Sequence, residues 1–410
     1  MNILIIGVSG FIGQHLYHAL SQCGYNVTGC SRHEVHNIKW QSFSFNQSAK
    51  DWERQLKSID IVINAAGIYQ ESDAQDFLQA HDLGPKKLFE VCTRLGIKVI
   101  QISAIGAEVE NPKTDFLISK RNADQFLLES DRPNIVLYPG IVLGERGRST
   151  RQLCMLARVP LMPLVFGRNK KLPLISVYQL TEHIIKIIQH WPKTKQAIVL
   201  IAREESMEQL LNNMKSWMGL GKGYFISIPK QLINIGFKLL PGLSLGLFNK
   251  QSIELLSEYS NRSYSPISNT TASDSLIKHS ASAPFKKALK LKMLFYVNLI
   301  ALGIIWIVSG ISSLISFEQS RELITSIGIN GLLGDSIIIG AAIGDILLGI
   351  FLWHPGLRRY VIYTQIAVML IYSLIISISL PVFWLHPFAP IIKNLAMLVM
   401  ALYLLTEETE

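Results

Sequence analysis

Metal-ligand spacing is missing from this chain, and most metal chemistry goes with it. The four cysteines, Cys23, Cys30, Cys92 and Cys154, include no Cys-x-x-Cys pair and have no histidine cluster beside them. That pattern argues against a zinc module or a disulfide framework and reads as reduced thiols in a cytosolic compartment, with no metal site. Charged residues are scarce as well, 17% of 410, against 49% hydrophobic residues and a mean hydropathy of +0.29. The formal charge is +9. Even so, there is no basic helix with interleaved aromatics and no nucleic-acid motif, so nucleic acid is not an expected partner. A signal-peptide pattern is lacking too, because the opening apolar run has no basic stretch before it and breaks at once into glycine. The apolar excess sits in the last quarter, so the chain addresses water first and a bilayer last.

What is present begins at the first residues. Ile3 to Ile6 form a short, unalternating apolar run, as a strand buried on both faces should. Gly7, Gly10 and Gly13 follow, and Gln14 to Gln22 has the spacing of a helix. A strand turning sharply into a helix leaves backbone N–H groups at the helix start, ready for a pyrophosphate. In such a turn Gly7 permits the bend and Gly10 lets the phosphates approach, with Ser9, Phe11 and Ile12 beside it. Gly13 then lets helix and strand pack closely. Placed between strand and helix, this Gly-x-x-Gly-x-x-Gly run predicts a nucleotide-binding Rossmann-type domain.

The next strand, Tyr25 to Arg32, ends Cys30-Ser31-Arg32 without an acid at its tip. An acidic residue there would bind a ribose 2′-hydroxyl, whereas arginine accommodates a 2′-phosphate. Ser31 and Arg32 therefore favour NADP(H) over NAD(H). Residues 60–67 read as a third strand ending in Asn64, Ala65, Ala66 and Gly67, small residues on which an adenosine half can lie. Residues 75–95 read as helical, and Ile97 to Ser103 as another strand. Alternation of strand and helix to residue 140 predicts an α/β, doubly wound parallel sheet.

The glycine turn, the Asn-Ala-Ala-Gly strand end, Ser103-Ala-Ile-Gly-Ala107 and the Ser119-Lys120 pair together resemble the short-chain dehydrogenase/reductase superfamily. The epimerase/dehydratase-like and atypical branches are most similar, over roughly residues 1–230. Tyr138-Pro139-Gly140 resembles the strand and loop that this family uses near the nicotinamide. The resemblance implies a reaction centre of Ser103 and Lys120, the lysine also holding the nicotinamide ribose. It also implies a tyrosine four residues before the lysine, on the same helical face, where it would exchange a proton with the substrate oxygen. Phe116 stands there instead. Ser119 and Asp115 are the nearby candidates for another donor, although neither shares that face. In atypical relatives without this tyrosine the dinucleotide resembles a structural or sensing ligand.

Arg146, Arg148 and Arg151 form a basic loop, either an anion contact or a solvated surface. Residues 1–228 are expected to form the nucleotide domain. Residues 229–259, apolar and weakly basic with a Pro241-Gly242 break, read either as a helix in the membrane interface or as a lid. Residues 260–285, rich in Ser, Asn, Thr and Pro, read as a linker.

Residues 286–410 carry the membrane signal. After Lys286, Lys287, Lys290 and Lys292, Met293 to Ile315 runs without a charge, and Ser336–Trp353, Tyr360–Leu380 and Phe388–Leu405 follow, four expected spans in all. The lysine cluster and the Arg358-Arg359 loop predict both termini and the nucleotide domain on the cytoplasmic side, and the fusion of such a domain to a helical tail resembles a bacterial arrangement, which implies the inner membrane of a bacterium. Asp345 and Lys393 are charges at membrane depth, forming with Asn394 either an interior polar site or helix-packing contacts. Gly340, Gly344 and Gly349 on one helix and the His386-to-Asn394 opening of the last resemble the DoxX-like four-helix membrane family. The combined reading is a membrane-anchored NADP(H)-binding oxidoreductase acting on a small lipophilic acceptor, quinone- or isoprenoid-like. The alternative is a non-catalytic sensor or assembly factor docked on a membrane redox complex.

Overall fold

The computed structural model describes residues 1–68, 76–164, 170–228, 255, 258–259, 264, 280–385 and 390–407. They divide into two compact units, with the division near the start of the lysine cluster.

The first unit is built on strands β1 (Asn2–Ile6), β2 (Asn26–Ser31), β3 (Trp40–Ser42), β4 (Ile61–Asn64), β5 (Lys98–Ile102) and β6 (Ile135–Pro139). Later strands are β7 (Ile141–Leu143), β8 (Leu161–Leu164), β9 (Lys171–Ser176), β10 (Gln196–Leu200), β11 (Arg203–Ser206) and β12 (Tyr224–Ser227). Seven of them form one sheet in the order β10-β6-β5-β4-β1-β2-β3, with every pairing parallel. Parallel strands need crossovers that cover both faces, which is why Ile3 to Ile6, Ile61 to Ile63 and Ile135 to Leu137 are all buried. The chain leaves β1 toward β2 on one side and β4 on the other. This reversal opens a crevice at the carboxyl ends of the strands, where ligands of such sheets bind.

The crossover helices include α1 (Phe11–Gln22), α2 (Ala49–Gln55), α3 (Gly84–Leu95), α4 (Asp115–Glu129), α5 (Arg148–Arg158), α6 (Val177–Gln189) and α7 (Met207–Met218). Four of them open on a capping hydroxyl: Ser48, Thr114, Ser176 and Ser206 each accept the N–H three residues on. The helical stretch read over residues 75–95 is split, because Leu78–Leu83 forms a π turn before Pro85 starts the α-helix proper. Such turns are frequent at functional sites, and this one turns Ala80, His81 and Asp82 inward.

The second unit comprises α8 (Ala283–Ile315), α9 (Phe317–Ser326), α10 (Gly331–Phe351), α11 (Arg358–Ser379) and α12 (Pro390–Glu407). Among the described residues, α8, α10 and α11 are long and apolar enough to cross a membrane, and residues 392–406 form a shorter apolar helix. The first of these helices starts ten residues before the uncharged stretch, since the lysine-rich segment has no breaker after Pro284. An apolar cluster around Leu299, Leu302, Trp306, Ile362 and Leu404 holds the unit together, while Val308, Leu374 and Leu395 point outward and are more than half exposed. Small residues let α8 and α10 approach closely: a Cβ on Gly349 would lie 2.8 Å from the Gly303 carbonyl, and one on Gly310 would overlap the Ala342 carbonyl. Gly340 and Gly344 have open space instead. Gly310→Leu is therefore expected to destabilise the unit by about 2 kcal/mol, whereas Gly340→Leu should leave the melting curve of the detergent-solubilised protein unchanged. Asp345 is buried and accepts from Ser309 (3.2 Å), and Asn394 donates to Ser373 (2.9 Å). These contacts tie the two residues to different partners. Lys393 is exposed.

The interfacial or lid segment and the linker fall almost wholly outside the described residues. The linker's last residues are held to the first unit: the Ala281 N–H donates to the Trp217 carbonyl (3.2 Å), and the Ser282 hydroxyl donates to Glu145 (2.8 Å).

Candidate active site

The glycine turn combines backbone freedom with close approach. Gly7 has φ of +83°, and a Cβ there would lie 2.7 Å from the Ala66 backbone. A Cβ on Gly13 would overlap the Gly7 carbonyl oxygen, which is why helix and strand can meet so tightly. Gly10 differs: its nearest neighbour would be the Gly7 carbonyl at 3.2 Å, with open space beyond. Gly10 occupies the cap of α1, where no side chain caps the first amides. Those donors are left for a ligand.

Two cavities flank this turn. The first, about 460 Å³, is lined by Gly7, Ser9, Gly10, Ser31, Arg32, Ala65, Ala66 and Gly67 among others. The second, about 260 Å³, is lined by Phe11, Ile12, Ser103, Phe116, Pro139 and Gly140, and by Leu255 and Tyr259 from the later segment. Most of the candidate residues thus fall into two groups, one at each cavity. Gly13, Asn64 and Lys120 line neither cavity. Gly13 packs behind the turn, and Asn64 is buried and donates to Gln101 (2.8 Å). The Lys120 ammonium lies beside the strand end, 3.1 Å from where a Cβ on Gly67 would be. Ser31 lines the first cavity, but its hydroxyl donates to the His33 carbonyl (2.6 Å) and accepts from the Trp40 indole (2.9 Å).

Beside the second cavity, α4 lies against β5. Ser103, just beyond β5, donates to the carboxylate of Asp124 on α4. Lys120, one turn before Asp124, donates to the Ile102 carbonyl (3.3 Å). All three are buried. Burial pushes Lys120 down to about 8, with Asp124 opposing that shift. Burial likewise pushes Asp124 up to about 7, against the opposing pull of Ser103 and then Lys120. Asp124 shares a helical face with Lys120 by its four-residue spacing, but nothing in the sequence pattern pointed to it or to its bond with Ser103.

Phe116, four residues before Lys120, packs edge-on against Phe77 and His81, with ring centres 5.7 and 5.3 Å away. No sequence pattern singled out His81. Its Nε2 accepts the Ile68 N–H (2.9 Å), so Nδ1 carries the proton and faces the Ser119 hydroxyl (3.2 Å). Ser119 in turn donates to the Phe116 carbonyl (2.9 Å). Burial, reinforced by the Lys120 charge, holds the imidazole well below its usual pKa, so it stays neutral. Ser119 is committed to this chain and Asp115 is exposed. Among the described residues, no group of three His, Cys, Asp or Glu side chains is placed to hold a metal ion.

Residues 3–159 match the NAD dependent epimerase/dehydratase family, and residues 303–402 match the DoxX-like family. The chain joins an epimerase/dehydratase-type domain to a DoxX-like domain. The ceramide reductase of Caulobacter vibrioides is 24% identical over 182 residues, a match covering 43% of this chain and 57% of that protein. The chain therefore aligns with little more than half of that relative's length. Among solved structures, UDP-glucuronic acid 4-epimerase from Bacillus cereus, in complex with NAD, is similar to the chain at 16% identity and a TM-score of 0.51. That likeness covers 70% of this chain and 99% of the epimerase, and it establishes the shared fold. For the epimerase/dehydratase-type domain the implied ligand is a nicotinamide dinucleotide. The uncapped helix start, the open side of Gly10 and the two flanking cavities fit it.

Proposed function

We propose that this is a membrane-anchored, NADP(H)-dependent reductase of a lipophilic carbonyl compound. The observation that carries the reading is Ser103 at the wall of a small cavity lined by Phe116, Pro139 and Leu255, with Asp124 hydrogen-bonded behind it and Lys120 one turn away. Such a wall accepts a hydrocarbon chain, and the ceramide reductase relative supports a lipid as the substrate class. A reduced nicotinamide dinucleotide, when bound, supplies the hydride. The protein's own residues do the rest: the amides of α1 bind phosphate, Gly67 leaves room at the strand end, Lys120 supplies positive charge there, and Ser103 holds the substrate oxygen. The helical unit anchors the enzyme through four spans, the shorter α12 being the fourth, with both termini and the epimerase/dehydratase-type domain on the cytoplasmic side. Residues 286–292 and Arg358-Arg359 support that orientation.

The test uses full-length protein in mild detergent with NADPH or NADH and a panel of long-chain keto lipids and quinones, following loss of nicotinamide fluorescence. Consumption that depends on a keto lipid is expected. Tight NADPH binding without consumption by any acceptor would favour the second reading, a dinucleotide sensor or assembly factor for a membrane redox complex, which Phe116 supports. The cofactor preference is assigned to Arg32, at the rim of the first cavity. Arg32→Ala should weaken NADPH binding about tenfold, the loss of one charge-assisted contact, and leave NADH binding unchanged in a fluorescence titration.

A further inference from the structure

A reductase needs a proton for the oxygen it reduces, and Phe116 has none to give. Phenylalanine is not the whole wall of this cavity, however. Ser103 also lines it, and its hydroxyl is bonded to a carboxyl group only 1% exposed. From the reductase reading above, we propose that Ser103 and Asp124 form a proton relay in place of the absent tyrosine, Ser103 protonating the substrate oxygen and Asp124 resupplying Ser103.

The balance is that of a carbonyl reduction. The carbonyl carbon gains a hydride from the reduced dinucleotide, and the C=O π pair moves onto oxygen. That oxygen takes the Ser103 hydroxyl proton as the O–H proton of Asp124 passes to Ser103 Oγ. The products are the alcohol, the oxidised dinucleotide and the Asp124 carboxylate, which regains a proton from water between turnovers. When Asp124 is protonated it is the donor in its bond to Ser103, and the serine proton is free to point into the cavity.

The groups facing Asp124 fit this role. Lys120 and Arg121 come from its own helix, Gln101 from β5, Ser103 from just beyond that strand, and Tyr138 from β6. The two cations keep the carboxylate from becoming prohibitively costly once the proton has left, while burial keeps the acid form accessible near neutrality. Tyr138 is itself buried, and burial raises its pKa, with Asp124 adding to the effect, so it holds its proton. Tyr259 is the rival donor, since it lines the same cavity.

The test compares full-length wild type with Asp124→Asn, Ser103→Ala and Tyr259→Phe on the keto lipid found to support NADPH oxidation. Asp124→Asn should lower kcat about 100-fold or more, the typical contribution of a positioned acid. Its KM and NADPH affinity should change little, the unchanged affinity reporting an intact fold. In wild type the reduction rate should fall as pH rises through about 7, and the variant should lose that limb. Adding Phe116→Tyr to Asp124→Asn should recover activity, because a tyrosine beside Lys120 restores a proton source that a purely structural defect would not need. In infrared difference spectra, a protonated-carboxyl band titrating near neutrality should vanish in Asp124→Asn. An Asp124→Asn enzyme with wild-type kcat and pH profile would overturn the relay alone, as would loss of turnover confined to Tyr259→Phe. Wild-type protein that binds NADPH but reduces no keto lipid would overturn the reductase reading itself.

Discussion

Gly10→Asp should abolish dinucleotide binding while leaving the protein folded, and Gly13→Val should fail at both. The two glycines are three residues apart in one turn, yet their surroundings differ. At Gly10 an added side chain would enter open space beside the uncapped start of α1, where its carboxylate would occupy the place of a phosphate and satisfy the same amides. A loss of more than about 100-fold in NADPH affinity follows, since the pyrophosphate contributes several charge-assisted bonds of about 2 kcal/mol each. At Gly13 the branch would overlap the Gly7 carbonyl, and backbone cannot give way as a flexible side chain can. That variant should express poorly or melt well below wild type. Fluorescence titration with NADPH, alongside a melting curve for each variant, checks both halves. A Gly10→Asp protein that binds like wild type would remove the phosphate site from α1.

The second large effect is on stability against pH. Burial raises Asp124 to about 7 in the folded protein, above an ordinary carboxyl near 4. Between those two values the folded state holds a proton that the unfolded chain releases, so stability is highest below about pH 4 and falls as pH rises from about 4 to about 7. Burial lowers Lys120 to about 8, and for an amine whose folded pKa is depressed, stability rises with pH from about 8 toward 10. The two buried groups together predict a trough between about pH 7 and 8. Asp124→Asn should flatten the acid side of that trough and stabilise the first unit at pH 8 by a few kcal/mol, up to about 4. Melting curves followed by the emission of the fully buried Trp52 would show this, and a wild-type protein equally stable at pH 5 and 7.5 would contradict it.

How much of this was legible in the sequence depends on how local each signal is. The glycine turn could be read because its three residues act on one another within seven positions, and β1 could be read because a strand buried on both faces needs no partner to declare itself. The shared face of Phe116 and Lys120 was legible as well, since a four-residue spacing on a helix fixes it. Asp124 could be placed beside Lys120 by the same rule, but its bond to Ser103 spans 21 residues and exists only because α4 packs on β5. His81 was hidden for a different reason. A π turn shifts the helical register just before Pro85, so a periodicity that assumes regular turns assigns the ring no particular face. Ser31 shows the converse: its position at a strand tip could be read, but the indole and carbonyl that occupy its hydroxyl come from residues 33 and 40. In the helical unit, hydrophobic length located the candidate spans. The close crossing at Gly303, Gly310 and Gly349 depends on which face of each helix meets the other, and Gly340 and Gly344 look the same as Gly349 in sequence.

The ring of Phe116, seated edge-on against Phe77 and His81, also bears on selective inhibition. A small molecule that gains its affinity by bonding to a phenol would meet an aromatic ring here. A compound with a flat apolar end shaped to the Phe116 ring, and an oxygen aimed at Ser103, would be turned away wherever a tyrosine hydroxyl projects into the same space.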